Sequence, residues 1–67
     1  MSVARITTLS ANSKTSFDDA IKEGIARASK TLRGVSGAWV KEQKVEIADG
    51  QVVAWHVVLE VTFVLDD

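Results

Sequence analysis

Residues Gln51–Leu65 read QVVAWHVVLEVTFVL. The odd positions Val53, Trp55, Val57, Leu59, Val61, Phe63 and Leu65 are all apolar, while the even positions mix Val52, Ala54, His56, Val58, Glu60, Thr62 and Val64. A period of two predicts a β-strand with one dry face and one mixed face. At ~3.3 Å per residue such a strand runs roughly 50 Å, a length that a small domain does not cover by itself. The chain is therefore expected to be one subunit of an obligate assembly.

Immediately before this strand, Ala48-Asp49-Gly50 is a hairpin turn signal, with Gly50 free to take positive φ. A second strand is predicted from Val35 to Ile47. Its polar middle, Lys41-Glu42-Gln43-Lys44, breaks the apolar alternation and suggests a sheet edge near solvent or a subunit contact. Upstream, Phe17, Ile21, Ile25, Ala28 and Leu32, joined by Ala20 and Gly24, form one apolar stripe on a helix predicted over Phe17 to Leu32. Ser16 supplies its N-cap, Asp18 and Asp19 suit the first turn, and Asp19 is placed to reach back toward the cap. Gly34 is the expected left-handed stop. Gly24 costs about 1 kcal/mol relative to alanine in a helix interior, which points to close packing of the helix on the sheet. At the N-terminus, the β-branched Val3–Leu9 reads as a first strand, followed by a polar connection, Ser10 to Lys14.

The order is strand, helix, strand, strand. It predicts an α+β fold: a three-stranded antiparallel sheet wrapped on one helix, with the long C-terminal strand central and the helix on its odd face. Trp55, at an odd position, is placed in that core. A helix of ~24 Å covers only part of the odd face and none of the opposite one. Those surfaces are expected to meet other subunits.

Bulk composition agrees. With 67 residues the chain makes one domain, residues 1–67, and buries only ~60% of its unfolded surface, which is marginal. There is no cysteine and one histidine, so disulfides and thiolate metal sites are excluded. With 46% hydrophobic residues, association is the remaining route to stability. Eight basic against nine acidic residues, without a basic block, do not indicate a nucleic-acid partner. No stretch approaches the ~18 apolar residues of a membrane span or the pattern of a signal peptide, so a cytoplasmic location is the default expectation.

Several motifs together resemble the dodecin family. They are Thr15-Ser16-Phe17-Asp18-Asp19-Ala20, Ala26-Arg27-Ala28-Ser29-Lys30-Thr31-Leu32-Arg33, Glu42-Gln43, Asp49-Gly50-Gln51-Val52-Val53 and Leu59-Glu60-Val61-Thr62-Phe63. They occur in family order and spacing along nearly the whole chain. The resemblance implies a homododecamer, a hollow sphere of cubic symmetry that binds flavin, riboflavin or FMN, in pairs near two-fold axes. In the family a tryptophan early in the second strand stacks on the isoalloxazine and a glutamine early in the third bonds its polar edge. Carried over, the tryptophan position is Gly37 and the glutamine position is His56. Trp39 lies two residues beyond Gly37, on the same face of a regular strand, and offers an indole displaced by ~7 Å; the bland reading is packing or interface filler. His56 has nitrogens able to replace the amide at one flavin atom; the bland reading is a solvated or interface histidine with no ligand. Lys44 stands where some relatives carry a basic residue near the ligand, with an FMN phosphate as its candidate partner; the bland reading, and the preferred one, is a solvated edge lysine.

No nucleophile-base arrangement, phosphate-cradling loop or metal cluster is present, so no enzyme is expected. Glu42, Glu46, Glu60, Asp66 and Asp67 are read as solvated or paired charge before ion ligands. Two functions follow from the resemblance: flavin storage or sequestration at an atypical site, or a dodecameric shell without flavin that is structural or ion-binding.

Overall fold

The computed structural model describes residues 3–65. Four elements follow one another: strand β1 (Ala4–Ser13), helix α1 (Phe17–Thr31), strand β2 (Val35–Ala48) and strand β3 (Gln51–Val64). The strands form one antiparallel sheet in the order β1-β3-β2, so the C-terminal strand is central as its apolar run requires. The subunit is a slab 52 Å long and only 13 Å in its thinnest dimension.

Asp49 and Gly50 have φ values of 51° and 75°, the paired positive φ of a tight two-residue hairpin turn. From this turn β3 runs antiparallel to β2 and then pairs in unbroken register with β1, from Ser13 opposite Trp55 to Ala4 opposite Val64. The first strand is thus longer than its β-branched start suggested. Ser10 to Ser13 continue the ladder instead of forming a polar connection, because their polar side chains fall alternately on an open face and at the helix start.

α1 lies across β1 and β3 and barely touches β2. Its deepest line is made of small residues four apart, Ala20, Gly24 and Ala28, which press on Val57, Leu59 and Val61 of β3. A Cβ on Gly24 would lie 3.0 Å from Leu59 Cδ1 and 3.2 Å from Ala11 Cβ, so close approach of helix backbone to sheet accounts for the glycine. Ile21 and Ile25 sit beside this line and are only partly buried. They border an apolar groove of about 350 Å³ walled across from them by Val35, Ala38 and Val40 of β2.

The helix covers β3 around residues 57 to 61 and no further toward the hairpin. Trp55 is on the helix-facing side, opposite Ser13 and Val45, but stands outside the buried cluster and is half-exposed. Its expected place in the core is corrected on that ground: α1 begins too late in space to cap it. Val53 departs more clearly, because a register shift between Glu46 and Ile47 leaves it unpaired and exposed.

Both helix ends differ in detail from the expectation. Ser16 is the N-cap, its hydroxyl accepting from the Asp19 backbone N–H at 3.0 Å. Asp19 does not close a capping box. Its carboxylate accepts from the Ser13 hydroxyl at 2.6 Å, and the same Ser13 oxygen accepts from the backbone N–H of Thr15 at 2.9 Å and of Ser16 at 3.4 Å. Ser13 is the buried polar residue of the described chain, and it ties the end of β1 to the first turn of α1. Ser13→Ala is expected to cost about 1–2 kcal/mol, since it leaves the Thr15 N–H and the Asp19 carboxylate without this partner. Thermal unfolding of the variant checks this; a midpoint equal to the parent's would remove Ser13 as the anchor. At the other end the C-cap is Leu32, in extended conformation, two residues before the left-handed Gly34. Gly34 therefore serves a different contact from the helix stop expected of it.

Candidate functional site

With the helix on one side of the sheet, the other side is open. On β3 the residues facing it include His56, Val58, Glu60 and Thr62, and their partners on β2 are Lys44, Glu42, Trp39 and Gly37 in turn. All four residues singled out from the sequence, Gly37, Trp39, Lys44 and His56, therefore share one face. A β-bulge makes this possible. The register shifts between Val40 and Glu42, leaving Lys41 as the extra residue, so odd-numbered Trp39 and even-numbered Lys44 point the same way.

Sharing a face does not bring them into contact. Trp39 is level with Glu60 and Lys44 with His56, four residue steps away on β3, or about 13 Å. Gly37, level with Thr62, is about 20 Å from His56. One chain thus presents two separate groups on the open face, an aromatic one at Gly37 and Trp39 and a polar one at Lys44 and His56.

The aromatic half is bare. Trp39 is 59% exposed, and a Cβ built on Gly37 meets nothing within 4 Å. The indole and the open space beside it form a flat platform for a planar ring. Next to it lies Glu60, whose charge disfavours an anionic group at this end.

The polar half is a hollow of about 340 Å³ bounded by Ser10, Glu42, Lys44, His56 and Val58. His56 sits between Lys44 on β2 and Asn12 on β1. Its Nε2 is 3.0 Å from Glu46 Oε2, with Glu46 two positions along β2 from Lys44. Sequence reading grouped Glu46 with the solvated acids and missed this pair. Glu42, Glu46 and Glu60 do face the same side, but among the described residues no group of three His, Asp or Glu side chains is placed to hold a metal ion. Asp66 and Asp67 lie outside the described residues.

The family comparison decides what this scaffold is. A family model described as Dodecin matches residues 3–66. The chain belongs to the dodecin family. Solved dodecins agree with it over nearly their whole length. The dodecin of Streptomyces coelicolor is 33% identical, with a TM-score of 0.91 over 98% of this chain and 94% of that one. The Streptomyces davaonensis dodecin is 36% identical, with a TM-score of 0.92 over 98% and 97%. A single-substitution variant of Thermus thermophilus dodecin is also 36% identical, with a TM-score of 0.93 and full coverage of both chains. Among curated protein sequences none matches. The strand-helix-strand-strand subunit read from the sequence is thus the dodecin fold. Among the described residues no helix of this dodecin is long and apolar enough to cross a membrane.

Proposed function

We propose that this dodecin binds a flavin, riboflavin or FMN, on the open sheet face within an assembly of its own copies, and that it stores or sequesters the flavin without turnover. The observation that carries the reading is Trp39. A 59% exposed indole on an open sheet face, beside the empty volume at Gly37, is what ring stacking needs and what a folded monomer has no reason to display. Stacking supplies affinity, and the hydrogen-bonding groups of Lys44 and His56 supply orientation.

A second copy completes the site. Because the aromatic and polar halves are about 13 Å apart on one chain, a ring stacked on Trp39 reaches His56 only across an interface that brings two open faces together. The exposed Ile6 and Val64 on this face, and Val40 at the rim of the groove under α1, are surfaces for such association, in line with a homododecamer. Lys44 is the candidate partner of an FMN phosphate, although Glu42 and Glu46 flank it on the same face. A cytoplasmic location belongs to the same proposal.

The test is titration of riboflavin and of FMN with the purified protein, following quenching of flavin fluorescence. Saturable quenching at micromolar protein is expected, and Trp39→Ala is expected to weaken it by about five- to 150-fold, the loss of one stacking contact of ~1–3 kcal/mol. If neither flavin is quenched, the alternative reading holds, a shell of this chain's copies that is structural or ion-binding. The presence of Gly37 and His56 in place of the family's tryptophan and glutamine is the observation favouring that second reading. If Trp39→Ala binds as well as the parent, the indole is packing and the flavin sits elsewhere.

A further inference from the structure

The contact between His56 and Glu46 reaches beyond the general reading. Nε2 of the ring is 3.0 Å from a carboxylate oxygen. An ionised carboxylate only accepts hydrogen bonds, so the nitrogen at this distance carries the proton and donates it. In a neutral imidazole the other nitrogen is then a pure acceptor. Among the described residues Nδ1 has no protein partner, and the His56 side chain keeps 31% of its surface exposed beside the polar hollow. Glu46 itself stands largely in solvent on the edge strand, and its contact with the ring spans the sheet diagonally.

Resting on the flavin reading above, we propose that Glu46 is a positioning residue that holds His56 with Nδ1 presented to the ligand as an acceptor. The site thereby selects planar heterocycles that offer a ring N–H, such as the imide N–H of the flavin pyrimidine ring. An amide side chain at this place offers a donor and an acceptor from one group and tolerates either partner. The imidazole, held by Glu46, offers the acceptor alone. A heterocycle alkylated at the imide nitrogen has no proton to give and leaves Nδ1 unpaired in the closed site, the arrangement that discriminates most sharply between ligands of equal size and stacking.

Two measurements on the intact protein decide this. The first needs no ligand: a long-range ¹H–¹⁵N spectrum of the single histidine, at a pH where the ring is neutral. The expected result is the Nε2–H tautomer with a ring proton protected from exchange, and loss of that protection in Glu46→Ala. A ring proton on Nδ1, or protection unchanged in Glu46→Ala, overturns the role of Glu46. The second compares riboflavin with its N3-methyl derivative by fluorescence quenching. N3-methylation is expected to weaken binding about tenfold or more in the parent, and by only a few fold in Glu46→Ala and in His56→Gln, where the acceptor is no longer fixed. Equal affinity for the two ligands in the parent overturns the selection while leaving flavin binding standing. Absence of riboflavin binding overturns the flavin reading and the selection with it, and the ring-proton result still decides whether Glu46 positions His56.

Discussion

Leu59→Ala is expected to remove about 4 kcal/mol of stability, toward the upper end of the ~2–5 kcal/mol range for buried leucine truncations. Leu59 is fully buried at the centre of β3, and the helix residues packed over it, Ala20, Gly24 and Ala28, are small. The size of the cost depends on whether neighbours can move into the space left behind. The residues directly over Leu59 are too small to do so, the longer Ile21 and Ile25 lie to one side along the groove they share with it, and the sheet beneath is pinned by pairing on both sides to Leu9 and Val40. The cavity therefore stays open. Urea denaturation with linear extrapolation checks the value, parent and variant compared at equal protein concentration so that the proposed assembly weighs equally on both midpoints. A loss below about 1 kcal/mol would mean that the helix had settled onto the sheet. The cycle with Gly24→Ala sharpens the result. In the parent, the helix-propensity gain of about 1 kcal/mol is opposed by the 3.0 Å approach to Leu59 Cδ1. With Leu59 already truncated, that contact is gone while the 3.2 Å approach to Ala11 Cβ remains, so Gly24→Ala is expected to be more favourable than in the parent while falling short of the full gain of about 1 kcal/mol.

The legibility of this fold in its sequence follows the same physics. β3 was readable because its centre is buried on one face only, which forces the alternation around Val57, Leu59 and Val61. α1 was readable from its stripe and its Ser16 cap. The limits of β1 were not, since Ser10, Asn12 and Ser13 look like loop residues: two face the open side of the sheet and the third is buried by bonding the helix start. Composition cannot distinguish a polar residue in a turn from one on a bare strand face.

The candidate site was legible in membership but not in arrangement. Gly37 and Trp39 share a face by simple alternation, and His56 by its even position on β3. The Glu46–His56 contact was hidden because counting back from the Asp49-Gly50 turn places Gln43 opposite His56. The unpaired Val53 slips the register by one and puts Lys44 there, which carries Glu46 to the open face within reach of the ring. Bulges are set by local twist and by side chains packed from above, neither of which shows as periodicity.

Gly34→Ala is expected to cost about 2–4 kcal/mol, and two other glycine positions allow the reason to be isolated. Two effects add at Gly34. Its φ of 71° lies in the left-handed region, where a side chain costs ~1–2 kcal/mol. An added Cβ would also come within 2.7 Å of the Val64 carbonyl oxygen, at a point where the Val64 N–H donates to the Gly34 carbonyl at 2.9 Å. That oxygen belongs to the backbone of the central strand, so it cannot swing aside as a side chain would. Relief requires the α1–β2 link to lift from the end of β3, with loss of this hydrogen bond. Gly50 has a similar φ of 75° but open space around a Cβ, so Gly50→Ala reports the backbone strain alone, about 1–2 kcal/mol. Gly37 has the open space without the positive φ, and Gly37→Ala is expected to change stability by no more than about 0.5 kcal/mol. The three denaturation curves should fall in the order Gly34, Gly50, Gly37 from most to least destabilised. Should Gly34→Ala match Gly50→Ala, the close approach to Val64 contributes nothing and only the left-handed backbone matters at the link between helix and sheet.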